Sequence, residues 1–466
     1  MKVIKMNRVA LAVLTIFGLS QAQTPIYRSI KPGIADTLFI AAGASISNDT
    51  LYLDAPAPDT VGIGVVYQYL NNTNLSFIHK RVSSSVWVVK DSLGGTTYLN
   101  QVTNDGPGYF FHCYTGMANF NSGIENTLVA TALRNWPGGN RNIQSANEDW
   151  FVPCYAGRDS NSALINIANW NTSPTHRIRF YSPTLPTEVG LSQRHQGHYE
   201  DYGYKLFRNS GSAANLLQIA NGSVQTSAHV DFDGLSFKTT GSGAQAALVF
   251  ESTEFNSVDN FDISNCIIVG SDSLSTRTNH QGIRENGGSL TPTLNVWNTI
   301  IYGFLSNTTG DIGIWSGGGS GMTIRVSNCT LYNNDTGISA NSITDLPIYN
   351  TIVNRTSNGF NGVKCVGDYN RSSIASDAPG THSTNCIVVF ADAANGDFLL
   401  ASADTCARDN GTDLSSSNPS VNDDIIGTAR PQEGGYDIGA FEFVESGSSE
   451  TIPGLIRRRG EARRGE

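Results

Sequence analysis

Charge is scarce in this chain: Asp, Glu, Lys and Arg make up only 15% of its 466 residues. Helices with one apolar and one charged face need more than that, so a helical bundle is disfavoured as the main architecture. Positive charge is scarcer still. The formal charge is −10 and no basic stripe crosses the part that would fold, which argues against a nucleic-acid partner. After the first residues no apolar run approaches the roughly 18 that a membrane-spanning helix requires, so no membrane insertion is expected. Zinc-type Cys-x-x-Cys and Cys/His spacings are missing, as are Gly-x-Ser-x-Gly and His-Glu-x-x-His. Zinc-site, serine-hydrolase and zincin chemistry therefore have no support. Asn-Gly hairpin turns do not recur at the regular short spacing of an antiparallel sandwich.

What is present begins with Lys2, Lys5 and Arg8, an apolar run from Val9 to Leu19, and then Ser20-Gln21-Ala22. This is the pattern of a secretory signal peptide over residues 1–22, so cleavage after Ala22 and a secreted, extracellular or cell-surface location are expected. Seven cysteines can then meet oxidising conditions. Cys113 with Cys154, and Cys365 with Cys406, are the candidate bridges, whereas Cys266, Cys329 and Cys386 read as small fillers. Arg457-Arg458-Arg459 and Arg463-Arg464, interleaved with Gly and Glu, mark residues 444–466 as a disordered tail without an apolar anchor.

Between these ends the sequence repeats itself. Val230–Phe237, Phe261–Ile268, Leu294–Ile301, Ile324–Leu331, Leu346–Val353 and Thr381–Val388 align with Gly234, Asn265, Asn298, Asn328, Asn350 and Asn385 in one column. Each unit alternates apolar and polar residues, turns at the column, and resumes an apolar run. One such strand cannot bury its face alone, but coils stacked about 4.8 Å apart close a continuous core. Asn suits the turn because its backbone tolerates the left-handed region and its amide can bond the next coil. The fold expected is all-β: a right-handed parallel β-helix solenoid over residues 151–443. Residues 23–150, with short strands such as Val86-Trp87-Val88-Val89, form a β-rich N-terminal cap and the first coils.

Ser327-Asn328-Cys329-Thr330-Leu331-Tyr332-Asn333-Asn334-Asp335-Thr336-Gly337-Ile338 resembles a coil of the pectate-lyase-like right-handed parallel β-helix family. Ile426-Gly427-Thr428-Ala429-Arg430-Pro431 and Tyr436-Asp437-Ile438-Gly439-Ala440-Phe441-Glu442-Phe443 resemble the closing motif of bacterial secreted β-helix proteins. The closing motif is expected to lie as a last strand across the C-terminal end of the core. The resemblance covers roughly residues 170–443 and implies an extracellular protein interacting with polysaccharide, with an acidic glycan and a lyase activity as candidates. Adhesins, phage spikes and surface proteins share the scaffold, so a non-catalytic structural or adhesive solenoid is the alternative. The paired Asp-Asp set beside Gly-His-Gly and the Arg-Ile-Lys of polygalacturonase-type hydrolases are missing. The only Asp-Asp in this chain is Asp423-Asp424, beside the closing motif, and the Arg-x-Pro-x-x-Arg of calcium pectate lyases is missing too.

Elimination from an acidic sugar needs a cation to neutralise the carboxylate and a base to remove the adjacent proton. The outward repeat columns offer Asp231, Asp233, Asp262 and Asn295 as oxygen ligands for Ca²⁺, with Arg325 following them. Arg284 and His280, in the insertion from Ser271 to Pro292, are further candidates for catalysis. Trp297, Tyr302, Trp315, Tyr332 and Tyr349 are candidate sugar-stacking aromatics. The cluster Arg194-His195-Gln196-Gly197-His198-Tyr199-Glu200-Asp201 reads as a hydrogen-bonded turn, with a metal or catalytic role as the other reading.

Overall fold

The computed structural model describes residues 22–445 apart from 34–35, 97–100, 139–140, 162, 209–214, 221–227, 241–245, 252–258, 271–278, 287–290, 306–309, 318–320, 341–344, 355 and 363. The expected signal peptide, but for Ala22, and the expected tail, but for Val444 and Glu445, lie outside the described residues. Three parallel sheets run side by side along the molecule, with nine, nine and seven strands among the described residues. One coil passes through all three: Asn260–Ser264 in the first sheet, Ile267–Val269 in the second and Gln281–Glu285 in the third. Successive coils pair in parallel and in register, so the chain is the parallel β-helix that the repeat requires.

Period-two alternation decides what lies inside. Phe180, Phe232, Ile263, Val296, Val326 and Ile348 follow one another down the interior of the first sheet, all essentially without solvent contact. Between the first and second sheets the chain turns at Gly234, Asn265, Asn298, Asn328 and Asn350, every one at positive φ. The Asn298 amide bonds Asn265 Oδ1 at 3.2 Å and the Asn350 amide bonds Asn328 Oδ1 at 3.5 Å, which is the expected ladder. Asn385 does not continue it. The next coil is Cys365–Asp368 and Arg371–Ser372, turning at Tyr369 with φ 58, and Asn385 belongs to the last strand of the second sheet. This coil is short and poor in apolar residues, so it matches the repeat less well than Thr381–Val388 does.

The third sheet escaped the repeat altogether. Its strands include Gln281–Glu285, Ile312–Ser316 and Thr336–Ala340, so part of the supposed insertion is wall of the solenoid. Gly282, Gly313, Gly337 and Gly359 form a column where this wall meets the second sheet. A Cβ at Gly337 would stand 2.2 Å from Val353 Cγ1 and one at Gly313 would stand 2.8 Å from Leu331 Cδ2. Only glycine allows that approach.

Both ends are covered. Thr24–Tyr27 is the first strand of the first sheet, and the chain then leaves for an eight-stranded antiparallel sheet before returning at Glu148–Pro153. The short helix Met117–Ser122 carries Phe120 onto Trp150, Trp170 and Phe180, covering the open core. At the other end Asp377 accepts the backbone N–H groups of Gly359 and Phe360 at 2.8 and 3.2 Å.

The closing motif does something other than expected: it runs along the side of the solenoid rather than across its end. The Asn350 and Asn298 amides donate to the carbonyls of Thr412 and Asp423, in the chain leading into the motif, and the Asn328 amide to that of Asp437 within it, so residues 412–443 together form a closing segment. Ala440 N–H bonds Thr330 Oγ1 at 3.0 Å, and Phe441 packs among Ile267, Val269 and Ile300 on the outside of the second sheet. Those outer residues are apolar, so an exposed sheet face, and not the mouth of the core, is what the segment has to cover. A Cys386–Cys406 disulfide joins the chain after the last strand of the second sheet to the chain that leads into this segment, while Cys113, Cys154 and Cys365 are free thiols. Neither expected bridge forms, and Cys386 is a bridging residue rather than a filler. Cys266 and Cys329 are the buried fillers the repeat implies.

Candidate functional site

The first-sheet row exists as the repeat aligns it: Arg179, Asp231, Asp262, Asn295 and Arg325 are register partners on successive coils. Its acids are matched internally. Arg177 Nε lies 2.9 Å from Asp231 Oδ2, and its Nη2 bonds the same carboxylate and reaches Asp262 at 3.2 Å. Arg179 joins Asp149 to Asp231, and the Asn295 amide donates to Asp262 at 2.8 Å. Asp233 is held by Arg194, Ser264 and Asn265. The expected calcium cage of Asp231, Asp233, Asp262 and Asn295 is thus an arginine–carboxylate ladder. Two arginines one coil earlier supply forked donors that match carboxylate geometry. Among the described residues no three His, Cys, Asp or Glu side chains are grouped to hold a metal ion.

The other candidates do not converge either. Arg325 is on the first sheet, whereas Arg284 sits beside Trp315 on the third. His280 is buried, its N–H bonded to Asp311 Oδ1 at 2.9 Å and its Nδ1 3.3 Å from Oδ2, so it fixes the entry to a third-sheet strand. Trp297 and Tyr349 share an outward row of the first sheet, two coils apart with Ser327 between. Tyr302 and Tyr332 are neighbours on the second sheet, but Phe390 and Phe398 from the C-terminal part pack onto them. Tyr332 is buried there rather than offered to a sugar. Five aromatics spread over three faces cannot form one platform.

Charge collects instead on the outside of the second sheet, near its N-terminal end. Arg158 and Lys205 are register partners in the strands Gly157–Asn161 and Tyr204–Arg208, and Lys238 pairs with Phe207 on the next coil. The loop around residues 195–203 folds over this face and presents Tyr199. Lys205 Nζ and Lys238 Nζ lie 5.3 and 4.9 Å from its ring centroid, within cation–π range. Arg158 stacks on Phe207 at 4.2 Å, and Lys205 stands 3.9 Å from Glu200. Burial pulls the Lys205 ammonium below the ordinary lysine value, with Glu200 and Asp201 opposing and Arg158 and Lys238 adding to the effect. Burial pushes the Tyr199 hydroxyl up to about 12. Arg158, Tyr199, Glu200, Tyr202, Lys205 and Lys238 help line a cavity of about 570 Å³. A second cavity of about 490 Å³ adjoins it, sharing Glu200 and Lys238 and reaching Tyr302 and Asn395.

The loop that forms one wall is anchored by a neutral histidine. His195 is buried, its Nε2 bonded to the Asn265 carbonyl at 2.9 Å and its Nδ1 accepting Gly197 N–H at 3.2 Å. One nitrogen donates and one accepts, so the ring is uncharged. Burial, then Arg194, drops its pKa to about 3. The sequence cluster is the hydrogen-bonded turn it resembled. A histidine held below its ordinary value of 6.5 contributes stability that is complete above that value and is lost as the pH falls towards 3. His195→Gln keeps a donor but cannot titrate. Relative to wild type, the melting temperature of this variant should therefore rise as the pH falls from about 6.5 to 4, and a constant difference would contradict the neutral anchor.

Compared with protein-family models, curated proteins and solved structures, the chain matches none.

Proposed function

We propose that this is a secreted or surface β-helix protein that binds an acidic polysaccharide in the groove over Arg158, Lys205 and Lys238. The observation that carries the reading is that three of the chain's 30 basic residues meet on one strip of sheet, beside Tyr199 and Tyr202, over an open cavity. Ammonium and guanidinium groups suit sugar carboxylates, and tyrosine rings suit the apolar faces of sugar rings. Tyr202 is more than half exposed, so its ring is available to a ligand. This reading needs no calcium, because the cations that would meet the carboxylates belong to the chain. Lys205, depressed by burial and by its cationic neighbours, is where a proton-abstracting base would be sought if the bound glycan is cleaved. The alternative, a non-catalytic structural or adhesive solenoid, draws on the internally matched acids of the first sheet.

A panel of uronic-acid polysaccharides, with and without EDTA, separates these readings by binding and by release of unsaturated products. Binding should weaken with salt, survive chelation, and fall about ten-fold in each of Lys205→Met and Lys238→Met, the loss of one charge-assisted contact. Equal affinity of wild type and both variants for every acidic glycan would remove the groove from consideration.

A further inference from the structure

The groove does not stop at Lys238. Two outward rows run down the second sheet: one holds Arg158 and Lys205, and the other holds Phe207, Lys238, Val269, Tyr302 and Tyr332 on successive coils. The cavity of about 570 Å³ lies over Arg158, Lys205 and Lys238. The cavity of about 490 Å³ continues from it over Lys238, Val269, Tyr302 and Tyr332. Each is in the size range of a small-ligand site. Their joint floor starts in the strand Gly157–Asn161 and ends, five coils later, in Thr330–Tyr332. At about 4.8 Å per coil it is roughly 24 Å long, enough for several sugars of an extended chain.

The chemistry changes half-way along. All three cations stand on the first three coils, and beyond Lys238 the same row offers Val269, Tyr302 and Tyr332. The facing wall is the turn Ala393–Asn395 with Gly396, and the Asn333 and Asn395 amides lie along the same part. Among the described residues Lys238 is the only lysine or arginine that lines this second part. His198 adds no charge. Its Nε2 donates to the Asn395 carbonyl at 2.5 Å and its Nδ1 accepts Glu200 N–H at 3.2 Å, so the ring is neutral. The one acid there, Glu200, stands at the junction and lines both parts, with its side chain 70% exposed. A sugar carboxylate carried past Lys238 would therefore meet no further cation and would have Glu200 beside it. Like charges so placed cost affinity, whereas an uncharged sugar meets no such penalty.

We infer that the groove selects a mixed glycan, in which a short acidic stretch over Arg158, Lys205 and Lys238 adjoins a short uncharged stretch over Val269, Tyr302 and Tyr332. This rests on the reading of the groove as a glycan site. It makes a uniform polymer of uronic acid the poorer ligand.

Titration calorimetry on the full-length protein tests it with three hexasaccharides of one uronic acid. One is fully acidic, and in the other two the three sugars at one end or at the other are reduced to neutral hexoses. One of the half-reduced chains should bind about ten-fold tighter than the fully acidic chain, the gain from removing like charge from the second part. Ala394→Arg places a cation in the facing wall and should raise the affinity of the fully acidic chain until it matches or passes the half-reduced one. Glu200→Gln, which removes the acid at the junction, should narrow the same gap. The acidic trisaccharide needs only the first part, so its affinity should be equal in wild type and Ala394→Arg, which also shows that the variant is folded. A fully acidic hexasaccharide that binds wild type as tightly as both half-reduced chains, or a preference that neither variant alters, would overturn the mixed-glycan inference and leave the glycan site standing. Absence of binding to every acidic saccharide, mixed or uniform, would overturn both.

Discussion

Replacing Arg430 by alanine should destabilise the protein by about 3–5 kcal/mol, the range for removing one partner of a buried ion pair. Its side chain and that of Glu442 are almost wholly shielded, at 1% and 0% exposure, and are joined at 2.8 Å. The guanidinium also donates to the carbonyls of Asp423, Asp437 and Gly439, so it fastens three parts of the closing segment at once. Asp424, Asp437 and Glu442 surround it, each accepting backbone N–H groups. Burial already pushes Asp437 up to about 6 and Glu442 up to about 7, against the pull of Arg430. Without the cation both should bind protons still more readily in the folded state. An acid whose folded value is raised contributes stability that is full below its unfolded value and lost as the pH rises through the folded one. The deficit of Arg430→Ala relative to wild type should thus be smaller near pH 5 than near pH 8. Denaturant unfolding at the two pH values checks both statements, and a deficit below about 1 kcal/mol would mean the cluster is not holding the segment down.

Removing Tyr436–Phe443 should have a larger effect and a different address from the one the sequence suggested. Phe441 alone, 2% exposed among Ile267, Val269 and Ile300, is worth about 3–5 kcal/mol on truncation to alanine. Loss of the whole stretch also uncovers Ile352, on which Ile438 packs, and leaves a continuous apolar strip on the outside of the second sheet. Aggregation is the expected outcome. At protein concentrations low enough to keep the variant in solution, hydrogen exchange locates the damage. Protection should fall in Ile267–Val269, Ile300–Tyr302 and Thr330–Tyr332. Loss confined to the final coil, Cys365–Asp368 and Arg371–Ser372, would mean that the segment acts at the end after all.

Much of the scaffold was legible because one signal repeats. The Asn column fixes the turn between two sheets, and period-two alternation before it fixes which side chains face out, so the rows containing Asp231, Asp262 and Asn295 could be aligned from sequence alone. What those rows do was not legible. Their partners, Arg177 and Arg179, lie on a coil upstream of the aligned units, so the acids looked unneutralised. The third sheet was hidden because its later strands carry glycine at their second position, which interrupts the apolar alternation that marks the other strands. Gly282-Ile283, Gly313-Ile314, Gly337-Ile338 and Gly359-Phe360 are a second column that a search for glycine followed by an apolar residue would have found. The groove was half visible. The cluster from Arg194 to Asp201 stood out for its density of titratable groups, but Arg158 and Lys238 join it only through coil stacking, far away in the chain.

Most stacked-repeat proteins can gain or lose a repeat with little penalty, since each unit touches only its neighbours. The closing segment removes that freedom here. It bonds the turn residues Asn298, Asn328 and Asn350 on three consecutive coils, and through Phe441 it grips strands near a fourth turn, that of Asn265. It is a ruler laid against the stack. A chain with one of these coils deleted or duplicated could still wind, but its graduations would no longer match, and its outer face would be left partly bare. Length, in this solenoid, is set by the piece that comes last.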